Sequence, residues 1–388
     1  MSFTVHATDA GSQARVGALV TRRGVVTTPA FMPVGTRASV TGLDPTEVAG
    51  LGAEIILANT YHLMLRPGVD ALRRVGGAHR FMAWPGPILT DSGGFQIFSL
   101  AADRTIDDDG ATFRGFVDHQ PQRLTPERAI EVQHAIGSDI MMVLDQCLDA
   151  RADAATTAAA MARTHRWAAR CLRARVDPSQ QLFAIVQGGV VPALRRESAA
   201  ALTDLVVDGR GFDGFAIGGL AVGESRAERE DVTALTAALL PAERPRYLMG
   251  VGTPADLLVA IGAGVDMFDC ILPTRLAWQG IAFTSTGRVR VTRGAAASAD
   301  AALDAHCGCS TCARFSRAYL HHLFKASEPL GPRLLSVHNL HHYLALMAEA
   351  RRHIGAGTYA AWARATLDAI DQLEHSGHRL DRGRTPPA

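Results

Sequence analysis

Eight short apolar runs alternate with helical patterns along the first three quarters of this 388-residue chain, and the count predicts an α/β fold of the (β/α)8 barrel class. A second observation agrees: polar residues close the runs at their C-terminal ends, where a barrel gathers its loops into one mouth. A third, a tight cysteine cluster beyond the last run, adds a metal-binding segment.

The runs are PAFMPV (29–34), EIILANT (54–60), PILTDSG (87–93), DIMMVLDQC (139–147), QLFAIVQGG (181–189), GFAIGGL (214–220), RYLMGVG (246–252) and MFDCILP (267–273). Their continuous apolarity suits strands covered on both faces, as in a parallel sheet. Helical patterns lie between them; TPERAIEVQHAIG offers Thr125 as N-cap and Pro126 at the first helical position. A doubly wound open sheet is the rival, but it usually has fewer strands, and no glycine-rich phosphate turn follows the first run. Asn59 with Thr60, Asp91, Asp145, Gln187, Gly218 with Gly219, and Asp269 close their runs. Any one of them alone reads as a helix cap. Together they read as an active-site mouth.

Residues 103–125 interrupt the repeat and read as an inserted hairpin turning at Asp109-Gly110. After residue 280 the repeat ends. IAFTSTGRVRVTRG is strand-like, the cysteines follow, and helical patterns close the chain. The expected division is a catalytic barrel over 1–280 and a zinc-binding subdomain with C-terminal helices packed on it over 281–388.

A composition of 47% hydrophobic and 20% charged residues is ordinary for a water-soluble enzyme. The formal charge of +1 neither demands nor forbids an anionic partner. A nucleic-acid binder of this charge must gather its basic groups on one face. The opening residues predict no secretory signal, and no apolar run approaches the roughly 20 residues that cross a membrane. The cytoplasm is the expected compartment, with no membrane partner. There, C-x-C-x2-C at Cys307, Cys309 and Cys312 reads as metal binding rather than as disulfides. Three thiolates and one further ligand make a closed tetrahedral zinc site, structural because no position remains for substrate. His338 in SVHNLHHY is the expected fourth ligand; spacing leaves His306, His321, His322, His341 and His342 open, and an iron–sulfur cluster is the rival cofactor.

Several of these stretches are long and specific: NTYHLMLRPG, DSGGFQIFSL, GGLAVGE, YLMGVGTP, GVDMFDCILPTR and the C-x-C-x2-C…H site. From about Pro29 to His338 the chain resembles the bacterial tRNA-guanine transglycosylases. The resemblance implies exchange of guanine at the tRNA wobble position for 7-aminomethyl-7-deazaguanine (preQ1), in queuosine biosynthesis, by a homodimer carrying one structural Zn2+ per chain. It implies Asp269 as nucleophile and Asp91 as general acid/base. Asp91, Asp145, Gln187, Gly218, Gly219 and Leu220 would bind the base, with Phe95 and Met249 on its faces. Cys307, Cys309, Cys312 and His338 would hold the metal. Val222 and Cys147 match a pocket sized for a small aminomethyl group, and Glu224 matches the acid that arranges the loop around it.

The chemistry is consistent on its own terms. Exchanging a base with retention takes a carboxylate nucleophile and a second acid that protonates the departing base and deprotonates the incoming one. Sequence spacing does not say which carboxylate is which. In DSGGF, the expected role of Gly93 and Gly94 is to turn the backbone behind the acid and leave room for substrate. Phe95 would stack on the base.

Three places depart from the family pattern: Leu276, Trp278 and Gln279 in PTRLAWQG, Thr41, and Gln146 in LDQC. These departures bear on RNA recognition, where Arg275, Trp278, Arg288 and Arg290 are the candidate contacts. Arg163, Arg166, Arg170 and Arg173 share a helical face that reads as the solvated outside of a barrel helix. Two rival functions fit the same residues: the same base exchange on another nucleic acid, or a non-catalytic RNA-binding partner subunit.

Overall fold

The computed structural model describes residues 2–100 and 103–382, with side chains to residue 372. Met1 and residues 383–388, at the ends of the two expected segments, lie outside the described residues. Three strands not anticipated from the sequence come first: β1 (Phe3–Thr8), β2 (Arg15–Thr21) and β3 (Gly24–Thr28), paired antiparallel in that order. Each of the eight apolar runs then contributes one strand. These are β4 (Ala30–Met32), β5 (Ile56–Ala58), β6 (Ile88–Thr90) and, after an inserted sheet of β7 (Arg104–Ile106), β8 (Ala111–Arg114) and β9 (Pro121–Leu124), the strands β10 (Ile140–Met142), β11 (Gln181–Val186), β12 (Gly214–Ile217), β13 (Arg246–Leu248) and β14 (Met267–Asp269).

The eight run parallel in the order β4-β14-β13-β12-β11-β10-β6-β5. A parallel bridge between Val34 and Leu57 joins the two ends. The sheet is therefore a closed (β/α)8 barrel, as the sequence predicts. Its strands are buried along their whole length; all six residues of β11 are buried, which explains why the apolarity is continuous rather than alternating.

The N-terminal sheet covers the end of the barrel opposite the polar mouth, and ion pairs to buried carboxylates fix it there. Arg15 on β2 grips Asp266, just before β14, through Nε at 2.9 Å and a second nitrogen at 2.6 Å. Asp266 also accepts the backbone N–H of Arg246 at 2.7 Å. Arg22, after β2, donates to Asp139, just before β10, at 2.8 Å. Asp139 is held further by Ile88 N–H and by the ring of His79. Burial alone would raise its pKa, but these bonds outweigh it and hold the carboxyl below the usual range.

The inserted segment is a three-stranded antiparallel sheet, not a hairpin. Its first turn, Asp107 to Gly110, lands on the arginine stripe. Asp108 takes Arg163 at 3.0 Å and Arg166 at 2.7 Å, and its carbonyl takes the indole N–H of Trp167 at 2.8 Å. Arg170 forks onto Glu127 at 2.7 and 2.8 Å, while Arg173 is exposed. The stripe lies on the outer face, with Arg166 and Arg173 exposed, and it also docks the insertion, because the acidic turn DDDG lies opposite it.

Beyond the barrel, β15 (Ile281–Thr284) and β16 (Gly287–Arg290) form a hairpin, followed by the cysteines and the long helix Leu330–Gly355. Asn339 on that helix is buried and donates to the carbonyls of Pro273 and Ile281 while accepting Phe283 N–H. Tyr343, one turn on, reaches Gly252 O at 2.8 Å.

Arg15 and Asp266 are both buried, so removing one partner strands the other charge. Asp266→Ala is expected to lose about 3–5 kcal/mol of stability, read from urea denaturation; a loss well under 1 kcal/mol would mean that the pair does not secure the cap.

Candidate active site and metal centre

Three carboxylates are buried together at the mouth, each at the C-terminal end of a barrel strand. Asp91 follows β6, Asp145 lies just beyond β10, and Asp269 ends β14; all are less than a tenth exposed. Buried acids need donors, and neighbouring strands supply them.

Asp91 accepts Thr60 N–H at 2.8 Å and the Gln96 amide at 2.8 Å, and also the side-chain amide of Asn59. Burial nonetheless dominates: it lifts the pKa of Asp91 to about 6 against these bonds, and the charge of Asp269 adds to the rise. Asp269 accepts the Tyr247 hydroxyl at 2.5 Å and Gly250 N–H at 2.7 Å, both on Oδ1. No donor among the described residues meets its Oδ2. Burial raises the pKa of Asp269 as well, against those two bonds.

Asp145 links the third corner. Its Oδ1 accepts Ser92 Oγ at 2.7 Å and its Oδ2 accepts Gln187 Nε2 at 2.7 Å. The Cys147 thiol donates to the same Oδ2 at 3.3 Å. Gly218, Gly219 and Leu220 follow β12 beside them. A Cβ on Gly219 would stand 2.2 Å from Gln187 Oε1, so only glycine lets that amide lie there. The Sδ of Met249 borders the Gly218 site, and Phe95 is exposed on the first turn of helix Gly94–Leu100.

The two glycines of DSGGF divide their work differently from expectation. Gly93 sits at φ +89 and makes the turn. A Cβ on Gly94 would come within 2.3 Å of the Asp145 carbonyl oxygen. What its missing side chain admits is Asp145.

Loop residues around the mouth also find partners. The Glu224 carboxylate accepts the backbone N–H groups of Ala221 and Val222 at 2.6 and 3.0 Å. Gln146 accepts from Arg163 at 2.6 Å. Arg275, Trp278, Arg288 and Arg290 are exposed. Trp278 overlies the backbone at Gly42, near the barrel mouth, and Arg288 lies over the ring of Phe283.

Sequence reasoning missed Tyr247, Ser92 and Gln96 as holders of the acids. Gln96, five residues after Asp91, carried the one local signal. Tyr247 is brought to Asp269 by the pairing of β13 with β14, which no local pattern reports.

The candidate metal-binding cluster stands in a separate small core with Ala282, Val291 and Leu303. The ligand atoms of Cys307, Cys309, Cys312 and His338 lie within 4.8 Å of one another. His338 Nδ1 is 3.5, 3.6 and 3.3 Å from the three sulfurs. Tetrahedral zinc with its usual bond lengths would set sulfur and nitrogen about 3.6 Å apart, so the donors fit. Nε2 of His338 donates to Phe283 O at 2.6 Å, which turns Nδ1 to the thiolates. The competing histidines are not in the cluster.

Fold and mouth together define a barrel enzyme with three buried carboxylates at its mouth and a thiolate–imidazole cluster set apart from them. The family model for queuine tRNA-ribosyltransferase matches residues 9–372. A queuine tRNA-ribosyltransferase of Herpetosiphon aurantiacus is 48% identical over 381 residues, covering 98% of this chain and 96% of the relative. Those of Oleidesulfovibrio alaskensis and Gluconacetobacter diazotrophicus are 50% and 51% identical, over 95% and 90% of this chain and 96% and 90% of theirs. The chain belongs to the queuine tRNA-ribosyltransferase family, and with it to the pentosyltransferases.

Because the Asp269 charge helps hold the pKa of Asp91 up, Asp269→Asn should move the titration of Asp91 below about 6. Carbon-13 NMR of labelled aspartates, assigned with Asp91→Asn, reads this; an unmoved titration would show that the two acids do not sense each other.

Proposed function

We propose that the chain exchanges guanine at the wobble position of tRNA for 7-aminomethyl-7-deazaguanine, through a covalent link between Asp269 and the ribose. The observation that carries this reading is the pair Asp91 and Asp269, both buried at one barrel mouth and differing in how their oxygens are occupied. Asp269 Oδ1 is held by Tyr247 and Gly250, which leaves Oδ2 to attack. All the oxygens of Asp91 are engaged, and its raised pKa suits a group that passes a proton back and forth.

In the first step Asp269 Oδ2 attacks C1′ of the ribose; the bond to the base breaks and its electron pair leaves with guanine, which takes a proton from Asp91. The incoming base gives its N9 proton to Asp91, and N9 bonds to C1′ while Asp269 departs. Two inversions restore the starting configuration. Asp145, Gln187, Gly218, Gly219 and Leu220 hydrogen-bond the edge of the base, and Phe95 and Met249 cover its faces. A flat base on Phe95 is worth about 1–3 kcal/mol. Arg275, Arg288 and Arg290 contact the RNA, and Trp278 offers a stacking face there. Zinc held by Cys307, Cys309, Cys312 and His338 fixes the local backbone and supplies no chemistry at the mouth. The reading extends to a cytoplasmic homodimer, as the family resemblance implies. No helix among the described residues is long and apolar enough to cross a membrane.

A denaturing gel should trap RNA on the parent protein and not on Asp269→Asn, which also loses guanine exchange. An adduct persisting in the mutant would move the nucleophile elsewhere. Elemental analysis should find one zinc per chain in the parent and none in Cys309→Ser, whose thermal midpoint should fall; iron, or no metal, in the parent would overturn the zinc assignment.

A further inference from the structure

Gln187 is held from behind by two residues of one helix. The chain leaves β11 at Val186, turns through Gly188 and Gly189, and enters helix Pro192–Thr203. Both glycines have positive φ, +131 and +56. A Cβ on Gly188 would lie 2.9 Å from the backbone nitrogen of Arg195, so the helix can press directly against the turn.

Arg195 and Ser198, three residues apart, share one face of that helix. Both are fully buried. Arg195 Nε donates to Gly189 O at 2.8 Å and another of its nitrogens donates to Val186 O at 2.9 Å. The Ser198 hydroxyl accepts Gln187 N–H at 3.2 Å and lies 2.9 Å from the ring of His165. The backbone on either side of Gln187, and Gln187 itself, is thus tied to one rigid element. The other side of the turn is open: Gln187, Gly188 and Gly219 line a cavity of about 60 Å³.

Burying this arginine is costly. One of its guanidinium nitrogens has no partner among the described residues, and no carboxylate meets the group directly. Burial lowers its pKa to about 9, with the charge of Glu224 opposing that fall. An apolar residue of like volume would pack there at lower cost. What it would lack is a planar fork able to reach two carbonyls three residues apart.

We propose that Arg195 and Ser198 are positioning residues for base recognition, acting through Gln187. They fix its backbone so that its amide meets Asp145 on one side and lies against Gly219 on the other. A small displacement of such a group is enough to lose an aligned hydrogen bond. This inference rests on Gln187 being a base-binding residue.

The test is a double-mutant cycle on the full-length enzyme with tRNA carrying a wobble guanine and labelled free guanine. Ser198→Ala and Arg195→Lys are each expected to raise KM for guanine about tenfold and leave KM for tRNA unchanged. Added to Gln187→Ala, neither should raise it further. If Gln187→Ala raises KM for guanine while Ser198→Ala does not, the positioning role falls and the base-binding reading stands. If the effects persist in full on the Gln187→Ala background, the two residues do not act through Gln187. If Gln187→Ala itself leaves guanine KM unchanged, the base-binding reading fails and the inference with it. Thermal midpoints accompany each variant; should Arg195→Lys not fold, Ser198→Ala, which removes a single hydroxyl, decides.

Discussion

Three carboxylates buried at one mouth are the constraint on which the rest of this molecule depends. An isolated carboxylate in a dry site neutralises itself or forces the site open. The barrel avoids both by giving each acid donors from on or just after a neighbouring strand: Asn59 and Thr60 after β5 for Asp91, Tyr247 on β13 for Asp269, and Gln187 after β11 for Asp145. The donors do not fully compensate. All three pKa values remain raised, because burial exceeds the sum of the bonds. That residue of unfavourable burial makes an acid responsive to its neighbour's charge, which proton transfer during base exchange would exploit.

The opposite end of the barrel carries charge for a different reason. Asp139 and Asp266 stand at the starts of β10 and β14, where they meet arginines of the N-terminal sheet. The Arg15–Asp266 pair is dry, while Arg22 reaches a fully buried Asp139 from the surface; both carboxylates are bonded on several sides, so they specify one seating of the sheet. The inserted sheet uses exposed pairs instead, through Asp108 on Arg163 and Arg166. Solvent weakens these individually, and the Trp167 indole adds a directional anchor. Polar pairing thus secures both additions to the barrel, one end deep and one shallow.

The metal centre is set by geometry of another kind. Cys307, Cys309 and Cys312 are local to one loop, and Cys309 also caps the short helix Ser310–Arg314. His338 arrives from a helix that packs on the barrel through Asn339 and Tyr343. A metal bound by all four ties the loop to that helix, and through it to the segment after β14 that carries Arg275 and Trp278.

Much of this was determined by the sequence alone. The eight strands, the mouth residues at their ends, the Thr125 cap and the cysteine spacing all follow from features a few residues long: apolar runs, caps and a ligand motif. Periodicity and propensity act over such windows, and so they are legible in one. The family resemblance then assigned roles that spacing left open. The tertiary structure alone decided the closure between Val34 and Leu57, the N-terminal sheet, and the docking of the arginine stripe on Asp108; it brought the expected His338, and none of the five competing histidines, to the thiolates. It also decided that Gly94 gives way to Asp145, and that Arg195 stands behind Gln187. The partners of the acids are 32 residues apart for Asn59 and Asp91, 22 for Tyr247 and Asp269, and 42 for Gln187 and Asp145. Such contacts exist only once neighbouring strands are in register, because hydrogen-bond geometry is a property of the assembled barrel and not of any one segment.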